Sequence, residues 1–273
     1  MVNTVGFIGA GQLGEPMVAR LLGAGNSVLV YSRREDVQAR LAARGARLAG
    51  SVAELASQSD ILLSCLFSDM QLRETGLGPD GFIANAKSGS VFISHTTGTV
   101  STLETLRDSS SSAPVILDAP VSGTVENIAA GTLTVLIGGP AEAVATVTPV
   151  LTAYADPVVP TGELGSALAI KLINNLLFAA NAQLVAAATQ LGDRLNVDSG
   201  ALLSALQVCS GRSGAAAHAD RIGGIDHFAE LAAPFLRKDV AACREAATEA
   251  GVDLGLLGSV VQGGPLTLQD CAG

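Results

Sequence analysis

Gly9, Gly11 and Gly14 are spaced Gly-x-Gly-x-x-Gly, after the apolar run Val2–Ile8 and before the helix-like stretch Glu15–Leu22. In a strand–turn–helix setting each glycine has its own task. Gly9 permits the tight turn, Gly11 lets the backbone approach a pyrophosphate, and Gly14 lets helix and strand pack closely. The start of the helix adds N–H groups and a partial positive charge for phosphate. The pattern is read as a dinucleotide site, including the intervening Gln12 and Leu13, rather than as an ordinary glycine-rich turn.

The next strand, Ser27–Tyr31, selects the cofactor. An NAD site usually places Asp or Glu about 20 residues after the motif, where it accepts from the ribose hydroxyls. Here Tyr31-Ser32-Arg33-Arg34 offers no acid and two arginines. A guanidinium pairs well with the 2′-phosphate of NADP. NADP is therefore expected over NAD, with Ser32, Arg33 and Arg34 as its contacts. Ser32 and Glu35 also have capping-box spacing, so Ser32 is expected to start a helix while Arg33 faces phosphate.

A second chemistry sits on one helix. Lys171 is the only charged residue between Glu163 and Asp193. Asn175 lies one turn on, on the same face, with Asn174 beside it. A lone lysine on an apolar helix must snorkel, pair or line a polar cavity. Lysine shifts its pKa readily when desolvated, which suits it to proton transfer. The plain alternative is a lysine facing solvent near the helix start.

The surrounding pattern supplies the frame. Apolar runs at Ile61–Phe67, Val91–Ser94, Val115–Asp118 and Leu133–Ile137 alternate with helical stretches such as Val37–Ala43 and Ser51–Ala56. That alternation predicts an α/β Rossmann-type domain with a parallel-sheet core over residues 1–161. Beyond Thr161 strand signals stop, and an all-α domain over 162–273 is expected, opening with a long interdomain helix at about 164–193. Leu172–Gly192 is an uncharged run of 21 residues, long enough for a membrane span. It carries Asn174, Asn175, Asn181, Gln183, Thr189 and Gln190, so it is read as a helix covered by protein.

Composition narrows the function classes. The 273 residues are 48% hydrophobic, enough for a core, and carry 16 basic and 25 acidic side chains for a net charge of −9. No basic stripe or polybasic anchor is present, which argues against nucleic acid or membrane as partner. Cys65, Cys209, Cys243 and Cys271 are widely spaced, as in a reducing compartment rather than a disulfide framework or zinc site. With no basic leader or cleavage signal, a cytoplasmic protein is expected. His218 and His227 lack a ligand cluster, so no metal is expected. His95 reads as a satisfied polar residue and Cys65 as core packing.

Five segments in order resemble the β-hydroxyacid dehydrogenase family. They are Gly9-Ala10-Gly11-Gln12-Leu13-Gly14-Glu15-Pro16-Met17, Asp118-Ala119-Pro120-Val121-Ser122-Gly123, Gly131-Thr132-Leu133-Thr134, Gly165 through Asn175, and Leu236-Arg237-Lys238-Asp239. The family includes 3-hydroxyisobutyrate dehydrogenases and tartronate semialdehyde and glyoxylate reductases, and its first domain is of the 6-phosphogluconate dehydrogenase type. The resemblance implies hydride transfer between a nicotinamide and a small hydroxy acid or matching carbonyl substrate. It implies that Lys171 is the general acid/base, that Asn175 holds substrate, and that Ser122 and Gly123 anchor its carboxylate. It places Leu66, Phe67 and Thr97 along the cofactor and Lys238 near the nicotinamide. It also implies a homodimer or homotetramer.

The chain departs from the family pattern at three points. Thr124 and Asn127 stand where the family has glycines, and Ser94 stands where it has Asp. The end, from Gln262-Gly263-Gly264-Pro265, is also short. An imine reductase shares the architecture; Lys171 and the Ser122-Gly123 loop favour the acid, whereas Thr124 keeps the imine reading open. A non-catalytic NADPH-binding protein is the third reading, against which the Lys171–Asn175 pair argues.

Overall fold

The computed structural model of the protein describes residues 3–268. Val2, at the head of the first expected strand, and Cys271 lie outside them. The chain divides into two compact units, Met1–Lys171 and Leu172–Gly273.

The first unit begins β1 (Thr4–Ile8), α1 (Gly14–Gly23), β2 (Ser27–Tyr31), α2 (Glu35–Ala43), β3 (Arg47–Leu48) and α3 (Val52–Gln58). It continues through β4 (Ile61–Ser64), α4 (Asp69–Gly76), α5 (Phe82–Asn85), β5 (Val91–Ser94) and α6 (Val100–Asp108). It closes with β6 (Val115–Asp118), β7 (Val121–Ser122), α7 (Val125–Ala130), β8 (Leu133–Gly138), α8 (Ala141–Leu151), β9 (Ala155–Gly162) and the start of α9 (Ser166–Arg194). The sheet order is β3-β2-β1-β4-β5-β6-β8-β7, with β9 on the free side of β8. Pairing from β3 to β6 is parallel, and β8 runs antiparallel to both β6 and β7.

The inner strands β1, β2, β4 and β5 are largely apolar on both faces because both faces are covered. In β2, Val28 and Val30 join one buried cluster with Met17, Val18 and Leu21 of α1 and Val147 of α8. Leu29 points the other way, into a cluster with Leu55 of α3, Phe82 of α5 and Leu103 of α6. Each leucine so buried contributes about 1.5–3 kcal/mol. The strand order reverses direction between β1 and β4, which opens a crevice at their carboxyl ends, the usual ligand position in such sheets.

The Ser32–Glu35 capping box does not form. Arg34 is the N-cap of α2, and the Ser32 hydroxyl accepts from the Arg34 N–H at 3.2 Å. Cys65 is not inside a strand either. β4 ends at Ser64, which leaves Cys65, Leu66 and Phe67 in the following loop, and burial pushes the Cys65 thiol up to about 12.

The second unit holds the rest of α9 with α10 (Ser199–Leu206), α11 (Gly214–Arg221), α12 (Ile225–Glu249) and α13 (Gly255–Gly263). Leu172, Leu176, Ala179 and Val185 of α9 pack with Leu203, Ala216, Phe228, Leu236, Val240 and Val261. Another stripe of α9 is bare: Ile173, Leu177, Leu184 and Leu191 are all exposed.

Candidate active site

The glycine-rich turn joins β1 to α1 at the crevice between β1 and β4. Gly9 has φ +89°, and a Cβ there would stand 2.4 Å from the Cys65 carbonyl oxygen. Only glycine fits this turn. A Cβ on Gly11 would meet nothing within 4 Å, so that stretch of backbone is open to an incoming group. A cavity of about 670 Å³ lies here, lined by Gly9, Gly11, Ser32, Arg33 and Arg34 and, across the crevice, by Leu66 and Phe67. Gln12, Leu13 and Gly14 form the turn into α1. Thr97 follows β5. Open backbone at a helix start, an apolar wall and arginines at one end fit a phosphorylated dinucleotide.

The two arginines differ. Arg34 is held by Asp36 through two hydrogen bonds, 3.1 Å from Nε and 2.6 Å from an Nη. Asp36 also accepts from Arg40 at 2.9 Å, and the two guanidinium groups bring its carboxyl down to about 2. Arg33 is exposed on the cavity wall, with no such partner among the described residues.

Asp118 ends β6 and is fully buried. Its carboxylate accepts from the N–H of Gly165 and from that of Leu168, each at 2.8 Å. These are the amides that the start of a helix leaves without internal acceptors. Burial raises the Asp118 pKa, and these hydrogen bonds work against that rise. Lys171, half-buried, follows within the next turn of α9. One carboxylate thus fixes the start of the lysine helix to the head of the Asp118–Gly123 segment.

That segment is held again one residue on. His95 Nδ1–H donates to the Ala119 carbonyl oxygen at 2.5 Å, and Nε2 accepts from the Tyr154 hydroxyl at 2.8 Å. A ring nitrogen facing a carbonyl must carry its proton, which fixes the neutral tautomer. Burial brings the His95 pKa down to about 4.

Ser122 ends β7 opposite Thr134. Its hydroxyl is exposed, and Gly123 follows with φ +140°. A Cβ on Gly123 would lie 2.9 Å from a Leu133 methyl and 3.0 Å from Asn127 Oδ1. Thr124 and Asn127, which stand where the family has glycines, form the capping box of α7.

In the second unit, Asn175 is buried, and its amide donates to Asp239 Oδ2 at 3.0 Å. Asn174 donates to Asn175 Oδ1 at 3.2 Å. Lys238 lies beside Asp239 on α12. Asp239, which follows Lys238 in sequence, orients Asn175. Its signal in the sequence is its place in the Leu236–Asp239 motif. His95 is the satisfied polar residue its sequence suggests, but its partners, like the tie from Asp118 to α9, are groups distant in sequence.

Comparison with known proteins agrees with this geometry. Residues 4–165 match the family model of the NAD binding domain of 6-phosphogluconate dehydrogenase. Residues 165–264 match that of the NAD-binding region of NADP-dependent 3-hydroxyisobutyrate dehydrogenase. The chain is 32% identical over 224 residues to mitochondrial 3-hydroxyisobutyrate dehydrogenase of Mus musculus, covering 82% of this chain and 67% of that one. It is 29% identical over 261 residues to 2-(hydroxymethyl)glutarate dehydrogenase of Eubacterium barkeri, covering 94% of this chain and 87% of that one. Among solved structures, Mycobacterium tuberculosis 3-hydroxyisobutyrate dehydrogenase with L-serine superposes with a TM-score of 0.85 at 25% identity, over 96% of this chain and 92% of that one. Family models over both units, and this level of identity, place the chain in the β-hydroxyacid dehydrogenase family of NAD(P)-dependent oxidoreductases.

Proposed function

We propose that this protein interconverts a small 3-hydroxy carboxylic acid and its semialdehyde, prefers NADP to NAD, and uses Lys171 as its general acid/base. The observation that carries the reading is the Asp118 carboxylate, which fixes the start of α9 and with it the placement of Lys171. The related M. tuberculosis enzyme was solved with L-serine, itself a 3-hydroxy acid.

Gly9, Gly11 and the start of α1 hold the pyrophosphate, and Arg33 takes the 2′-phosphate. When bound, the nicotinamide supplies or accepts the hydride. The Ser122 hydroxyl and the Gly123 N–H anchor the substrate carboxylate. In reduction the carbonyl carbon gains the hydride and the carbonyl oxygen takes a proton from the Lys171 ammonium. Aldehyde, NADPH and one proton thus give alcohol and NADP⁺, and the lysine is reprotonated from solvent. In oxidation the neutral amine removes the hydroxyl proton. An ammonium at the developing alkoxide is both acid and electrostatic stabiliser.

The test is NADPH oxidation with glyoxylate, succinic semialdehyde, tartronate semialdehyde, methylmalonate semialdehyde and a cyclic imine, with Lys171→Ala beside wild type. The reading expects at least one semialdehyde to be reduced, and Lys171→Ala to lose about 100-fold or more in kcat with NADPH binding intact. Turnover of the imine alone, or full activity in Lys171→Ala, would overturn it.

A further inference from the structure

The residues after Ser122 and Gly123 have their polar groups committed to one another. The Thr124 N–H donates to Asn127 Oδ1 at 2.9 Å, and the Thr124 hydroxyl donates to the same oxygen at 3.2 Å. In return, the Thr124 hydroxyl accepts from the Asn127 backbone N–H. A carbonyl oxygen has two lone pairs, so Asn127 Oδ1 is saturated and Thr124 has no donor left.

Asn127 is itself tied down. Its carbonyl accepts from the Thr132 N–H at 2.8 Å, and its Nδ2 donates to the Thr132 hydroxyl at 3.4 Å. Its side chain also lies directly beneath Gly123, where a Cβ would come within 3.2 Å of Asn127 Cβ. The loop therefore has a fixed shape and two donors facing outward, the Ser122 hydroxyl and the Gly123 N–H. Neither has a partner among the described residues.

We infer that Asn127 is a specificity-determining residue: by taking both Thr124 donors it leaves a two-donor loop that selects a planar carboxylate over a tetrahedral phosphonate or phosphate. The inference rests on the proposed role of Ser122 and Gly123 in anchoring the substrate anion. A carboxylate has two oxygens, and two donors give each a charge-assisted partner. A tetrahedral anion has three oxygens and more charge to compensate. At this loop one of its oxygens would lose water and gain no partner, which disfavours binding.

The test compares kcat/KM for two aldehydes of equal reach, succinic semialdehyde and 3-oxopropylphosphonate, in wild type, Asn127→Ala and Asn127→Gln. Wild type is expected to prefer the carboxylate. Asn127→Ala frees the Thr124 N–H and lets its hydroxyl rotate toward the third oxygen, so the carboxylate-to-phosphonate ratio should fall about tenfold. Gln at this helix position can still reach back to the N-cap N–H, so Asn127→Gln should keep the wild-type ratio. A loop that matters only for folding would lower both activities together and leave the ratio unmoved.

An unchanged ratio in Asn127→Ala with NADPH affinity intact overturns the inference while leaving the proposed function standing. Should Asn127→Ala not fold, a ratio in Asn127→Gln displaced tenfold from wild type overturns it, and a retained wild-type preference for the carboxylate supports it. Wild type that reduces neither compound but accepts another semialdehyde overturns the inference alone. Wild type that reduces no carbonyl overturns both.

Discussion

Asp118 accepts a hydrogen bond from the backbone N–H of Leu168, 50 residues further along the chain, at 2.8 Å. Gly138 makes the space for it, because a Cβ there would come within 2.5 Å of Asp118 Oδ1. Asp118→Ala leaves two helix amides without acceptors in a buried place. The expected cost is about 3 kcal/mol of stability, read by urea unfolding. It should also lower kcat for semialdehyde reduction at least tenfold, since a shift of 1 Å at the start of α9 is carried along the helix to Lys171. NADPH affinity, measured by titration of the nucleotide fluorescence, should stay within about twofold. A variant destabilised as stated but with wild-type kcat would show that the tie is structural only.

Arg33 and Arg34 are adjacent in sequence and unequal in structure. Arg34 is engaged by Asp36, so redirecting it means breaking a formed pair. Arg33→Ala should weaken NADPH binding about tenfold or more and leave NADH unchanged. Arg34→Ala should affect NADPH less. Calorimetric titration of both nucleotides decides this. Tighter binding of NADH than NADPH by wild type, with Arg33→Ala changing neither, would remove the NADP preference.

His95 gives a pH signature. Its folded pKa of about 4 lies below the ordinary value of 6.5, so the fold favours the neutral ring. The stabilisation is complete above about pH 6.5 and is lost as pH falls toward 4, up to about 3 kcal/mol. Asp118, whose pKa is raised, takes up its proton earlier in the fold than in the unfolded chain and partly offsets this loss. Urea midpoints between pH 7 and 4.5 should therefore fall with acid, and His95→Asn should flatten the slope. An equal slope in His95→Asn would exclude the ring as its source.

The bare stripe of α9 supports self-association. Ile173, Leu177, Leu184 and Leu191 recur at helical spacing and are exposed, and a run of this kind needs cover. Light scattering at micromolar concentration should give a dimer or tetramer, and Leu177→Glu with Leu184→Glu should reduce its mass. A monomeric wild type would contradict the expectation.

Much of the first unit was legible because its strands are apolar runs closed by turn residues. Ser27–Tyr31, Val91–Ser94 and Val115–Asp118 are strands with the bounds their sequences suggest. Arg47–Leu48 and Val121–Ser122 escaped because two residues show no periodicity. Ala155–Gly162 escaped because Pro157 and Pro160 read as breakers. A proline without an N–H is tolerated at a sheet edge, and among the described residues this strand pairs only with β8. In the candidate site the glycine turn was legible as a local motif. The partners of Asp118, His95 and Asn175 were not, because they are set by crossings of the chain that no short window contains.

Gln183, buried in α9, donates to the carbonyls of Val261 and Leu266 at 2.8 Å each and accepts from the Leu266 N–H at 2.7 Å. A single glutamine thus acts as a latch for the closing stretch of the helical unit. A truncation or fusion placed before Leu266 would strand that amide in an oily interior, so any engineered tail is best joined beyond it.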